Sequence, residues 1–348
     1  MSLSRAHIAR TPAPLRAVLG MLPIPALLIS IFGLRIGGSP PGTGPVKLIQ
    51  SIPIPVTGRI DHMAIDVGRQ RLFVAALESN QVLVLNLRTG QLLQTLNDFP
   101  APQGVTFVQQ TNRLFVSNSG DGTCIMLDGA DYHRIAVAGF GADADNIRYD
   151  ADANQVYVGF GAGGLGVLDG ETGSLERQVS LPSHPEAFEL ELDSRRVFVN
   201  LPQNGTIAVT DRNGGRSTES WRLEGAAQNY PMALDSERHQ LYIGCRRPAT
   251  ILIYDTHTGR RIANAPAHGD VDDLFYDASR RRLYAASGAG FVDVIESKGP
   301  RTFVRTASIP TAPGARTALY VPVLARLYVA VPASGSQKAE VRVYQVLP

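Results

Sequence analysis

The stretch Ile60–Leu77, IDHMAIDVGRQRLFVAAL, decides the fold. Two polar residues, Asp61 and His62, open onto a short apolar segment, MAID. A charged turn, VGRQ, leads into a second apolar segment, RLFVAA. The same phrase returns down the chain. Aligned on its aliphatic-aromatic pair, it appears as Leu72-Phe73, Leu114-Phe115, Val156-Tyr157, Val197-Phe198, Leu241-Tyr242, Leu283-Tyr284 and Leu327-Tyr328. Successive spacings are 42, 42, 41, 44, 42 and 44 residues, a regularity that marks a repeat architecture.

Within each copy, β-branched and aromatic residues favour strands, and Gly, Asn, Asp and Pro punctuate them. After the second segment comes a third, such as QVLVLNL, LGVLD, TIAVTD or TILIYD. A TG turn often follows, as in LRTGQ, GETGS and THTGR, and then a fourth segment. Four antiparallel strands per roughly 40 residues is the arithmetic of a β-propeller blade. The spacing therefore predicts an all-β, seven-bladed propeller over residues 46–348. The last copy ends after its third strand, AEVRVYQV (Ala339–Val346). A spare strand, VKLIQSIPI (Val46–Ile54), precedes the first copy. It is expected to complete the last blade and remove an open sheet edge.

The chain has 348 residues, 34 of them Gly and 23 Pro, with a formal net charge of +2. The first 45 residues carry Arg5, Arg10, Arg16 and Arg35 and no acid, so the remainder has a net charge of −2. That balance argues against nucleic-acid binding by the propeller. Ala17–Leu34, AVLGMLPIPALLISIFGL, has no charge. As a helix it spans roughly 27 Å, close to one hydrocarbon core. Residues 1–36 read as a signal peptide or an uncleaved membrane anchor, with the amino terminus in the cytoplasm. Pro23 and Pro25 kink such a hydrophobic helix, which a membrane tolerates. Residues 37–45, GGSPPGTGP, read as a flexible linker. The propeller is then periplasmic or extracytoplasmic, free or tethered to the inner membrane. Cys124 and Cys245 fall three repeats apart, too far to bridge, and read as buried thiols.

The stretches LFVSNSGDGTCIMLDG, VFVNLPQNGTIAVTD and LYIGCRRPATILIYDTHTGRR resemble the YVTN-repeat (YncE-like) family of bacterial β-propellers, and the resemblance covers residues 46–348. It implies an exported propeller. Members are linked variously to DNA binding, surface layers or metal-linked export. No catalytic motif travels with the repeat.

The first strand of each blade lines a propeller's central channel, so the residues that enter it converge at one mouth. Eleven positions before each aliphatic anchor stand Asp61, Gln103, Asp145, Glu186, Tyr230, Asp272 and Arg316, all polar. The next position holds His62, Gly104, Asn146, Ala187, Pro231, Asp273 and Thr317. The polar opening of the phrase is thus read as one seventh of a ring around a pore. Asp61, His62, Gln103, Asp145, Asn146, Glu186, Tyr230, Asp272, Asp273 and Arg316 form the candidate ligand site. Asn118, Asn200, Arg246 and Arg247 are candidate rim residues, with His184 nearby. Crowded carboxylates raise one another's pKa or recruit a cation. Asn146, Glu186 and Asp272 offer hard oxygens suited to Ca, Mn or Zn.

Other motifs are weaker. GAGGLG (Gly161–Gly166) lies in a strand connection with no helix to follow, so the phosphate-loop mechanism is missing. His133 is read in a fourth strand, His239 and His257 in exposed turns, and His268 in a loop. The leading reading is a binding or scaffold module for a small polar ligand or a protein partner. The alternatives are a metal-dependent hydrolase or isomerase at the channel mouth, with His62 or Asp61 as base, and a structural subunit of a membrane complex anchored through residues 17–34.

Overall fold

The computed structural model describes residues 44–161 and 163–348. The leader or anchor at 1–36, its hydrophobic helix and most of the 37–45 linker lie outside the described residues. The sheets follow the repeat. Seven four-stranded antiparallel sheets are present, each built from strands consecutive in the chain except the last. The innermost strands of blades 1 to 7 are Met63–Asp66, Pro102–Val108, Ala144–Asp150, Phe188–Glu191, Ala227–Asp235, Val271–Asp277 and Ala318–Val321. In blade 7 the outermost strand is the amino-terminal Val46–Pro53. It pairs with Glu340–Val346, in register from Val46 opposite Val346 to Pro53 opposite Glu340. The expected closure is therefore observed. A bulge between Leu48 and Gln50 interrupts this pair, and the flanking Leu48 and Ile49 are exposed.

The seven aromatics that set the repeat are all buried. Each sits on the second strand of its blade and faces the next blade, against the residue seven positions before that blade's own anchor. Phe73 stacks on Phe107 with ring centroids 5.5 Å apart, Tyr242 meets Tyr276 at 5.1 Å, and Tyr284 meets Tyr320 at 5.0 Å. Phe115 shares a core cluster with Tyr149, Tyr157 with Leu190, Phe198 with Leu234 and Tyr328 with Ile65. One packing unit thus recurs at all seven interfaces, including the one that joins blade 7 to blade 1. Each buried aromatic contributes roughly 1.5–3 kcal/mol, so the ring has no interface without an apolar seam.

A polar latch accompanies the seam. A side chain at or near the start of the second strand donates to a backbone carbonyl beyond the third strand of the next blade. Arg71 reaches Gly129 O at 2.6 Å, Thr111 reaches Gly170 O at 2.8 Å, Gln240 reaches Pro300 O at 2.9 Å and Arg282 reaches Leu347 O at 2.7 Å. Arg196 makes the equivalent bond to Thr256 O, while its Nε donates to buried Glu191 at 2.8 Å. The carbonyls just past a strand lack ladder partners, and the latch satisfies them across the blade boundary. Cys124 and Cys245 are buried, unpaired, and pushed up to about 12 by burial. They sit in blades 2 and 5, as inert thiols should. Among the described residues no helix is long and apolar enough to cross a membrane.

Arg196→Ala removes one latch and leaves Glu191 buried without its guanidinium. The expected loss is roughly 1–3 kcal/mol, read as a lower urea midpoint at neutral pH with an unchanged slope. A loss under about 0.5 kcal/mol would show that the latch is only a surface pair.

Candidate functional site

Eight of the ten candidate residues line one cavity of about 420 Å³ at the ring's centre: Asp61, His62, Asp145, Asn146, Glu186, Tyr230, Asp272 and Asp273. Backbone geometry explains the convergence. Each stands where its blade's innermost strand begins, and those starts crowd together around the axis. The crowding also dictates residue size. A Cβ added at Gly104 would sit 2.3 Å from Asp145 O and 2.5 Å from Ser117 Oγ, so blade 2 cannot carry a side chain there.

The other two candidates do not line the cavity. Gln103 is buried, and its backbone carbonyl accepts from His62 N at 3.2 Å. Arg316 acts through a carboxylate, with Nε 3.2 Å from Asp272 and Nη1 3.0 Å from Asp270. Two expected rim residues are instead interior struts. Asn118 and Asn200 are fully buried; Asn118 Nδ2 donates to Thr123 Oγ1 at 3.1 Å and Asn200 Nδ2 to Tyr230 O at 3.0 Å. Arg247 is exposed, whereas Arg246 does reach the mouth. His133 precedes its strand and pairs with exposed Asp131 rather than lying within the strand. His268 Nδ1 binds the wholly buried Asp293 at 2.8 Å, away from the cavity.

The mouth is split into two electrostatic halves. On blades 5 to 7, Arg246, Asp270, Asp272 and Arg316 form a closed quartet. Arg246 Nε lies 3.2 Å from Asp270, a second Arg246 nitrogen donates to Asp272, and Arg316 bridges the same two carboxylates. Arg246 also lies over Tyr230, its guanidinium carbon 3.8 Å from the ring centroid, and occupies that face. Charge here is balanced two against two.

On blades 1, 3 and 4 the balance fails. Asp61 has Arg59 Nη2 2.8 Å from its Oδ2, yet the alignment is not that of a hydrogen bond, and this buried oxygen has no donor. His62 lies between two acids, 3.6 Å from Asp61 and 3.7 Å from Asp273. Asp145 is 8% exposed, and among the described residues neither its carboxylate nor that of Glu186 has a hydrogen-bond or ion-pair partner. A buried acceptor without a donor, as Asp61 Oδ2 is, is costly, and three of the acids shift. Burial pushes Glu186 up to about 9, with further push from Asp145 and Asp272. Burial likewise raises Asp273 to about 7 and Asp61 to about 6, each partly offset by His62. Burial opposes a charged His62, but Asp273 and Asp61 outweigh it and raise its pKa.

Sequence reasoning missed a deeper layer. Counting back eight from each anchor gives Ala64, Thr106, Arg148, Glu189, Ala233, Phe275 and Leu319, of which all but Ala233 line the cavity. Arg148 and Glu189 lie 3.6 Å apart there. The same counting would have found them. Counting back thirteen gives Arg59, Ala101, Asp143, His184, Gln228, Asp270 and Gly314, so Arg59 too lay within reach of the same counting. Among the described residues no group of three or more His, Cys, Asp or Glu side chains is arranged to hold a metal ion. Of the three expected metal ligands, Asn146 and Glu186 face the cavity freely, while Asp272 is held by two guanidiniums.

No family model and no curated protein matches the chain. Solved structures do. A chain of the hydrazine synthase of Kuenenia stuttgartiensis superposes with a TM-score of 0.71 at 16% identity, over 80% of this chain and 94% of that one. A chain from the crystal structure of a mitotic checkpoint complex gives 0.74 at 14% identity, over 92% and 100%. At such identities the comparison establishes the seven-bladed propeller and carries no activity with it.

A carboxyl whose folded pKa lies above its unfolded value keeps a proton that the unfolded chain releases. For Glu186 that window runs from roughly 4.3 to about 9, and stability falls as pH rises through it. Glu186→Gln should therefore be more stable than the native chain at pH 8, on the order of 1–2 kcal/mol, and nearly equal to it at pH 4.5. Thermal midpoints at both pH values check this; a variant less stable at pH 8 would contradict the site's electrostatics.

Proposed function

We propose that the protein is a binding module, an exported propeller of the YVTN-repeat type, whose site for a small polar ligand is the acidic half of the channel mouth. One observation carries the reading: Asp145, nine-tenths buried, points an unpartnered carboxylate into a cavity of about 420 Å³ beside an equally unpartnered Glu186. That volume falls in the usual range of small-molecule pockets, about 300–1,000 Å³. Rigid sheets hold the acids at a fixed spacing, and the electrostatic cost of ionising both is relieved by a proton on Glu186 or by a bound cation. Propellers commonly serve as binding platforms, and one of the similar solved chains comes from a multi-protein complex; a protein partner over the same mouth is compatible with this reading.

The metal-dependent alternative requires Asn146, Glu186 and Asp272 to close on one ion. Arg246 and Arg316 would have to release Asp272 first, which makes the binder the better supported reading.

A panel of small polar compounds, cationic, neutral and anionic, tests the proposal by shifts in thermal midpoint at pH 8. At least one class should stabilise the native chain by several degrees and leave the Asp145→Asn, Glu186→Gln double variant unmoved. No shift with any class, or equal shifts in both proteins, would contradict it.

A further inference from the structure

The channel below the mouth changes character. Met63, Ile65, Met232, Phe275 and Leu319 line the same cavity that Asp145 and Glu186 cap. Polarity at one end and apolar walls at the other select a molecule with two ends. Its polar end must supply what the mouth lacks. The quartet of Arg246, Asp270, Asp272 and Arg316 is satisfied internally, and Arg148 pairs with Glu189. What remains, among the described residues, is the unpartnered carboxylate of Asp145, the unpartnered carboxyl of Glu186, and the donorless Oδ2 of Asp61. An anion would meet three acids. A neutral hydroxyl could donate one hydrogen bond and leave the charge uncompensated. A bare divalent ion would ignore the apolar walls, and no described group of three acids, histidines or cysteines is set for one. A polyamine would carry further cations toward the floor, where the one carboxylate, Glu189, is already paired.

We propose that the channel receives a small organic monoammonium ion with an apolar body, an alkyl- or aralkylamine, its head between Asp145 and Glu186 and its body against the partly exposed Ile65, Phe275 and Leu319. This rests on the ligand-binding reading above and adds the chemical class. Three N–H donors on one cationic head match carboxylates arriving from different blades.

The class brings a proton with it. Glu186 faces Asp145, Asp272 and Asp143, countered by Arg246 and Arg59, with His184 beside Asp143 at 3.8 Å. Burial and the like charges keep it protonated at neutral pH, up to about 9. Docking of the ammonium ionises it: the carboxyl O–H bond breaks, the proton passes to solvent, and no other bond changes. Affinity therefore rises with pH between roughly 7 and 9, by up to about tenfold per unit for one linked proton. It falls again above roughly pH 10.4, where an alkylammonium loses its own charge.

Calorimetric titration of the purified chain with 2-phenylethylamine at pH 7.5, in HEPES and in phosphate, measures affinity and proton release together. The expected result is one ligand per chain with about one proton released, and at least about tenfold weaker binding of the neutral 2-phenylethanol. Glu186→Gln should abolish the proton release, and Asp145→Asn should weaken binding about tenfold or more; thermal midpoints of both amide variants confirm that they are folded. Equal binding of the alcohol, no released proton, or preference for spermidine or for Ca, Mn or Zn in HEPES would overturn the monoammonium assignment while leaving a channel site standing. If none of these probes binds, the monoammonium assignment also falls. The binding reading itself falls only if, in addition, the wider panel of polar compounds leaves the chain unmoved.

Discussion

Every feature of this molecule depends on the pairing of Val46–Pro53 with Glu340–Val346. That one antiparallel contact joins the two ends of the described chain and converts a row of seven sheets into a ring. Without it, blade 7 would expose an unpaired strand edge, and the seam of Tyr328 against Ile65 would have nothing to hold it shut. A ring constrains its members in a way that a row does not. Seven aromatic seams, five of them latched, set the angles between neighbours, and closure requires those angles to add up to one turn. The channel, its radius and the meeting of side chains from distant parts of the chain are all consequences.

The mouth shows what such a ring can support. Asp61 and Arg316 are far apart in sequence, yet both belong to one annulus. On one side, two arginines and two aspartates lock each other into a neutral quartet. On the other, the side chains of Asp145 and Glu186 have no partner among the described residues. Burying a carboxylate in this way costs free energy, and the raised pKa of Glu186 is the visible response. The frame tolerates the cost because the aromatic seams stabilise the ring elsewhere. Such a mouth, with the apolar walls beneath it, suits the two-ended cationic guest proposed above.

Much of this was legible in the chain. The spacing of Leu72-Phe73 and its six successors sets blade number, and the spare strand at Val46 sets the closure. Counting back eleven from the anchors places eight of ten candidates in the cavity, because a strand start is a backbone position and repeats conserve backbone positions. Side-chain pairing was not legible. Arg316 occupies the right position but spends its charge on Asp270 and Asp272, which depends on how three blades meet. Asn118 and Asn200 look like polar rim residues, yet each points inward to satisfy strand ends. Arg59 stands thirteen before its anchor, level with Asp143, His184 and Asp270, so its position was within reach but its pairing with Asp61 was not. Arg148 and Glu189 were within reach of the same counting, one layer deeper.

The claim that closure governs the whole ring can be tested far from the closure itself. Trp221 is the only tryptophan and lies in blade 4, across the ring from the joined ends. Ile52 is 3% exposed in the closing strand, packed in the core between blades 7 and 1. Ile52→Asp places a carboxylate in that core, at a cost of about 3 kcal/mol or more. Urea unfolding followed by Trp221 fluorescence and by far-ultraviolet circular dichroism should show one transition, displaced equally in both signals. If the Trp221 transition stays where it is in the native chain while only part of the ellipticity is lost early, the blades unfold independently and the ring is not the unit that shapes the site.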